Sequence, residues 1–211
     1  MVYVRQVGER ELTFAVSGML RKQSLVLVDM ETKSLWSHLL GRAMSGQLKG
    51  RELRTLPAAM VTWKSWKSRF PHTTVTDYQR TSEAYDPSFY EHPTRFVLGF
   101  EIGGQAYHVG LDTMQSRPVL NLAEPQPQLI VFDAASTAAT VFDRTVGGKT
   151  LTFRTAPSGE LIADGSAWNP LTGRAISGPH EDRNLKPIVG IMSFREAWYD
   201  FHPNSRPVQL P

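Results

Sequence analysis

The chain has 211 residues, of which 41% are hydrophobic and 20% charged, a composition that can bury a core and that excludes a disordered polymer. The net charge of +3 is small and its cations are dispersed, which argues against a nucleic-acid-binding surface. With no cysteine, disulfides, thiol redox chemistry and cysteine-ligated metals are excluded, and no stretch approaches the roughly 18 uninterrupted apolar residues of a membrane span.

In chain order, Val2 to Phe14 holds two short β-prone runs around Gly8, which predicts a hairpin. Arg5, Glu9, Arg10 and Glu11 interrupt any apolar signal region, so the chain as written is expected to stay in the cytoplasm. Ser24 to Asp29 and Ser34 to Leu39 are strand candidates joined by the polar turn Met30 to Lys33. The block Gly41-Arg42-Ala43-Met44-Ser45-Gly46 predicts a short extended segment closed at both ends by glycine turns. Met60, Trp63, Trp66 and Phe70 fall at helical spacing, predicting a short amphipathic helix ended by Pro71. Asp77 to Arg95 lacks hydrophobic periodicity and reads as a linker or crossover. A second hairpin is expected around Gly103-Gly104, and Leu129 to Phe132 reads as a buried strand followed by the small-residue stretch Ala134 to Thr140. Val141 to Phe153 repeats the hairpin pattern around Gly147-Gly148, a pair suited to the positive φ angles of a tight turn.

The same words then return. Trp36, the GRAMSG block and Pro71 match Trp168, Gly173-Arg174-Ala175-Ile176-Ser177-Gly178 and Pro203, an offset of 168 − 36 = 132. Upstream, Val2, Arg5, Val7, Leu12 and Phe14 match Val141, Arg144, Val146, Leu151 and Phe153, an offset of 144 − 5 = 139. The expected fold is therefore α+β and β-dominated. It consists of two tandem repeats of hairpins and short strands, each with one short amphipathic helix, divided as 1–76, a linker 77–95, and 96–211. Nothing ahead of residue 2 corresponds to the strands of 96–140, so the first repeat reads as incomplete. Its open edge is expected to be covered by the second repeat or by a second molecule in a homodimer.

No catalytic constellation stands out. The histidines His38, His72, His92, His108, His180 and His202 show neither HxH nor HExxH spacing, so no metal is expected. Ser17-Gly18 and Ser45-Gly46 lack a nucleophile elbow. Arg42 and Arg174 invite an anion-binding reading, outweighed by structural anchoring to a carboxylate or carbonyl; with Trp36 and Trp168 they are the candidates for a shared polar groove. Lys64, Lys67 and Arg69 among the tryptophans of the first helix form a solvated face, because Arg195, Glu196 and Asp200 of the second have mixed charge.

The segments LTFAVSGML, SLWSHLLGRAMSGQLKGREL, TWKSWKSRFPHTTV and FDRTVGGKTLTF together resemble the bacterial and archaeal family known as domain of unknown function 3179. The resemblance implies longer, exported members with a Cys-Pro-x-Cys stretch ahead of the first hairpin. In the second half the corresponding positions are Asp133 and Ser136, which cannot do thiol chemistry.

Two functions compete. The first is a non-catalytic β-rich binding or scaffold module without cofactor, its ligand unidentified. The second is a shortened derivative of an exported thiol-redox or metal-handling protein whose working segment lies upstream of Met1.

Overall fold

The computed structural model describes residues 1–22, 24–75 and 92–211; most of the expected linker 77–95 lies outside the described residues. Strands dominate, and the described helices are short: α1 (Trp63–Arg69), α2 (Leu111–Ser116) and α3 (Arg195–Phe201).

A central antiparallel sheet orders Val119–Leu122, Gln128–Asp133, Ala138–Asp143 and Lys186–Ile188. Its second strand reads Leu129-Ile130-Val131-Phe132 without polar alternation because both of its faces are covered. Ile130 and Phe132 pack on an outer sheet with Leu98, Phe100 and Val109. Leu129 and Val131 face the opposite way, onto Phe142, Leu151 and Trp168. The outer sheet orders Gly190–Phe194, Phe96–Ile102 and Gln105–Gly110, with Arg206–Pro207 added in parallel at its edge. The turn of Phe96–Ile102 into Gln105–Gly110 uses Gly103 and Gly104 at φ of 57° and 78°.

Each half also carries a four-stranded antiparallel meander. The first is Phe14–Arg21, Ser24–Asp29, Leu35–Ser37 and Arg42–Ser45; the second is Arg154–Thr155, Leu161–Ala163, Ser166–Trp168 and Ala175–Ser177. Local pairings recur at the offsets seen in the sequence. Bridges form at Arg42 with Glu52 and at Arg174 with Asn184. Leu53 N–H donates to Gly41 O at 2.8 Å, and Leu185 N–H to Gly173 O at 2.9 Å. Phe14 meets Trp36 edge-on at 5.5 Å, and Phe153 meets Trp168 at 5.7 Å. Gly46 and Gly178 take φ of 87° and 90°, and a Cβ on either would lie 2.7 Å or less from Ser34 or the Gly165–Ser166 backbone. Only glycine meets both demands.

Two expectations need correction. Val2 to Phe14 does not close on itself: Val2–Tyr3 pairs with Thr55–Leu56, and the hairpin is confined to Gln6–Val7 and Arg10–Glu11. Nor do these residues join a sheet of the second half. Local alternation reveals a strand and leaves its partner open; for Val2 that partner lies more than fifty positions away.

The two tryptophan helices also differ in depth. Trp66 donates its indole N–H to Thr73 Oγ1 at 3.1 Å and Trp198 donates to Ser205 Oγ at 2.8 Å, yet Trp198 is 1% exposed and Trp66 is only half-buried. Helix α3 lies on the outer sheet, where Gly99 leaves room for the indole. Helix α1 instead docks on the turn 133–136, with Thr62 N–H donating to Ser136 O at 2.9 Å and Arg69 3.7 Å from Asp133.

Candidate binding groove

Two adjoining hollows, about 660 Å³ and 430 Å³, run between the first meander, the segment 55–60 and the central and outer sheets. They share Ala58, Ala59, Ala139 and Gly190. All four are small; a Cβ on Gly190 would press on the buried Leu98 at 3.0 Å. The larger hollow is walled by Leu25, Leu39, Leu56, Met60, Ile191 and Met192, and the smaller by Trp66, Phe70 and Ile188. Among the described residues, His38 is the one titratable side chain along both walls.

His38 sits below the ordinary imidazole value of 6.5, first because burial disfavours its cation and then because the N-terminal ammonium repels it. Val2 of the strand Val2–Tyr3 borders the same hollow, and the Tyr3 hydroxyl donates to the carbonyls of two of its wall residues, His38 O at 2.7 Å and Leu39 O at 3.1 Å. Burial raises the Tyr3 phenol to about 12, so it remains a donor throughout the physiological range.

The four residues singled out from the sequence are not brought together. Trp36 and Trp168 are both fully buried, in separate cores beneath their own meanders. Trp36 donates its Nε1–H to Asp29 at 2.8 Å, and Trp168 donates to Ala163 O at 3.4 Å. Arg42 and Arg174 lie on the surface, ion-paired with Glu52 and, at 2.6 Å, with Asp182. Arg42 borders a separate 360 Å³ cleft with Lys22 and Lys49. Asp133 and Ser136 touch: Ser136 donates its hydroxyl to Asp133 at 2.6 Å.

Sequence reading missed a polar network at the far end of the outer sheet. His108, 5% exposed, places Nδ1 2.9 Å from Ser205 Oγ and Nε2 2.8 Å from the Tyr199 hydroxyl. Burial, and next the Arg195 charge, lower its pKa. A serine beside a neutral histidine has the parts of a nucleophile and base. Ser205 Oγ also accepts from the Trp198 indole, as Thr73 Oγ1 does from Trp66, and the network lies where Arg206–Pro207 pairs with Gln105–Gly110. A second pair, His180 and Asp164 at 2.9 Å, is tied to Lys149 at 2.6 Å, and the Lys149 and His180 bonds lower the Asp164 pKa. Among the described residues no group of three or more acidic or histidine side chains is arranged to hold a metal ion.

Three histidines share a direction of shift. His38, His108 and His202 are all lowered, burial being the leading cause in each, with Glu101 partly opposing it at His202. The unfolded chain therefore takes up protons first as pH falls. Stability is complete above about 6.5 and is lost as pH drops through the window below it. A urea midpoint that falls between about pH 7.5 and pH 5 is expected; a flat midpoint over that range would contradict the burial of these rings. His108→Ala, which strips partners from Ser205 and Tyr199, is expected to cost about 1–3 kcal/mol and to flatten part of that slope.

Among the described residues no helix is long and apolar enough to cross a membrane. Among curated proteins and among solved structures, nothing matches the chain. The family model described as "Protein of unknown function (DUF3179)" matches residues 1–205, nearly the whole length, and the chain belongs to that family.

Proposed function

We propose that this chain is a β-rich binding module without a catalytic centre, and that its ligand is an extended apolar segment lying in the groove between the first meander and the central sheet. The observation that carries this reading is the length and chemistry of the groove: two confluent hollows walled mainly by aliphatic and aromatic side chains, with Ser24, Thr55, Thr140, Thr172, Ser193 and the His38 imidazole as polar members among the described residues. Apolar concavities of several hundred cubic ångströms are where ligands bury most of their surface. The buried tryptophans and ion-paired arginines of the two meanders support the same reading, because their contacts are already satisfied within the fold.

Ala58 is exposed at the junction of the two hollows, so a bulky side chain there obstructs the passage without invading a core. The fluorescence of anilinonaphthalene sulfonate is expected to rise on mixing with the protein. Ala58→Trp is expected to weaken that binding by about tenfold, equivalent to about 1.4 kcal/mol. Equal titration curves for a folded Ala58→Trp and the parent would remove the groove as the binding site.

A further inference from the structure

The two meanders share one backbone frame in the turn after their fourth strand and carry opposite charge on it. In the first half Lys49 N–H donates to Gly46 O at 3.2 Å and Gly50 N–H to Ala43 O at 2.9 Å. In the second, Glu181 N–H donates to Gly178 O at 3.0 Å and Asp182 N–H to Ala175 O at 3.2 Å. Gly50 and Asp182 both take positive φ, 86° and 68°. The offset 181 − 49 = 132 thus sets Lys49 against Glu181 and Gly50 against Asp182. Asp182 receives the Arg174 guanidinium at 2.6 Å, so that cation is neutralised within its own turn. In the first half, glycine at position 50 offers no carboxylate. Arg42 turns instead to Glu52, which engages its Nε and Nη2, and Lys49 adds positive charge where the second half has negative.

This positive charge borders a concavity. Arg42 and Lys49 line the 360 Å³ hollow together with Arg21 and Lys22, which arrive at the end of the strand Phe14–Arg21. Lys22 is held in place, its ammonium donating to Asp200 O at the end of α3 and lying 5.7 Å from the centre of the Phe201 ring. Among the described residues, Asp200 is the one acidic residue along this wall, against four cations. The corresponding turn of the second half, Ala156 to Glu160 between Arg154–Thr155 and Leu161–Ala163, contains no cation. A concave wall of one sign concentrates counter-ions, and a bound anion relieves the repulsion among the cations that form it.

We propose that this hollow binds a small organic phosphate, a phosphate monoester carried on a compact apolar body. Arginine presents paired N–H donors that match the oxygens of a phosphate, and lysine adds a point charge on a flexible stem. A dianion draws on several cations at once, whereas a single carboxylate would use fewer. Leu40, Ala43 and Phe201 supply apolar surface for the body of the ligand, and 360 Å³ lies in the size range of small-molecule sites. The site goes beyond the groove reading, since among the described residues the two share no lining side chain.

The test titrates phenyl phosphate into the intact protein by calorimetry. Saturable binding at one site is expected, weakening as sodium chloride is added. Lys49→Glu, which gives the first turn the charge of the second, and Arg21→Glu are each expected to weaken it by about tenfold or more. Both side chains are exposed, so neither substitution disturbs a core. Lys64→Glu makes the same change of charge on α1, away from the hollow, and is expected to alter the affinity by less than about twofold. Weakening confined to Lys49→Glu and Arg21→Glu supports the proposal. Absence of saturable binding, or equal weakening by Lys64→Glu, overturns it. Sedimentation of the protein with phosphatidic acid vesicles while phenyl phosphate fails to bind also overturns it, giving the cations to a lipid surface. Ala58→Trp is expected to leave phenyl phosphate binding unchanged; weakening there would move the ligand to the groove and end the proposal.

Discussion

Trp36→Ala and Trp168→Ala are each expected to lower the unfolding free energy by about 3–5 kcal/mol, measured by chemical denaturation. Each indole is fully buried at the centre of its meander's core, so truncation leaves a cavity as well as removing buried area. Phenylalanine at the same positions separates the two. Trp36 donates to a carboxylate, whereas Trp168 donates to a carbonyl at the long distance of 3.4 Å. Trp36→Phe should therefore cost an extra 1.5–3 kcal/mol or so, the range for a bond to a charged group, and Trp168→Phe about 1 kcal/mol or less.

The acceptor, Asp29, is fully buried, which pushes its pKa up; bonds from Trp36, Thr32 and Ser34 more than offset this and hold it below 3.8. Its contribution is present above that value and lost as pH falls through the depressed pKa. The gap between the two phenylalanine variants should accordingly narrow in strong acid. Equal penalties at neutral pH would show that Asp29 does not anchor Trp36.

Gly99→Ala is expected to be the most damaging single-methyl addition in the outer sheet. An added Cβ would lie 2.5 Å from three ring atoms of Trp198, a fully buried side chain that cannot swing away. The indole is held by Ser205 at 2.8 Å and stacks on His202 at 4.0 Å, so moving it disturbs the link to His108 as well. Overpacking of this kind costs about 1–3 kcal/mol, and loss of the Ser205 bond adds about 1 kcal/mol. Because the clash is with one ring, Trp198→Leu should absorb much of the penalty of Gly99→Ala in a double-mutant cycle. Simple additivity of the two substitutions would place the strain elsewhere.

Legibility in the sequence followed the range of the interaction. Gly103-Gly104 and Gly147-Gly148 announced their hairpins because a two-residue turn demands positive φ, and all four adopt it. Pro71 follows the end of α1, and the spacing of Trp63, Trp66 and Phe70 marked the helix itself. Leu129 to Phe132 was recognisable as a strand covered on both faces, since no polar residue interrupts it. By contrast, the pairing of Val2–Tyr3 with Thr55–Leu56 carries no local mark, and the run was read as part of one hairpin. Trp36 with Arg42 and Trp168 with Arg174 stood out as candidates for a shared polar groove because they recur in the repeated blocks; in the fold the rings turn inward and the guanidiniums turn to the carboxylates of Glu52 and Asp182. The groove itself draws on Ala58, Ala59 and Gly190, residues whose small size is silent until three elements meet around them.

What the sequence determined alone is therefore the local and the periodic: β-rich elements, glycine turns, two tryptophan helices and membership of a family. Backbone sterics and side-chain periodicity act within a few residues and are written in the order of the chain. Tertiary structure decided which strand edges are paired, which tryptophan is sealed and where a cavity remains. Those outcomes depend on volumes and hydrogen-bonding edges contributed by residues far apart, and only packing brings them into the same space.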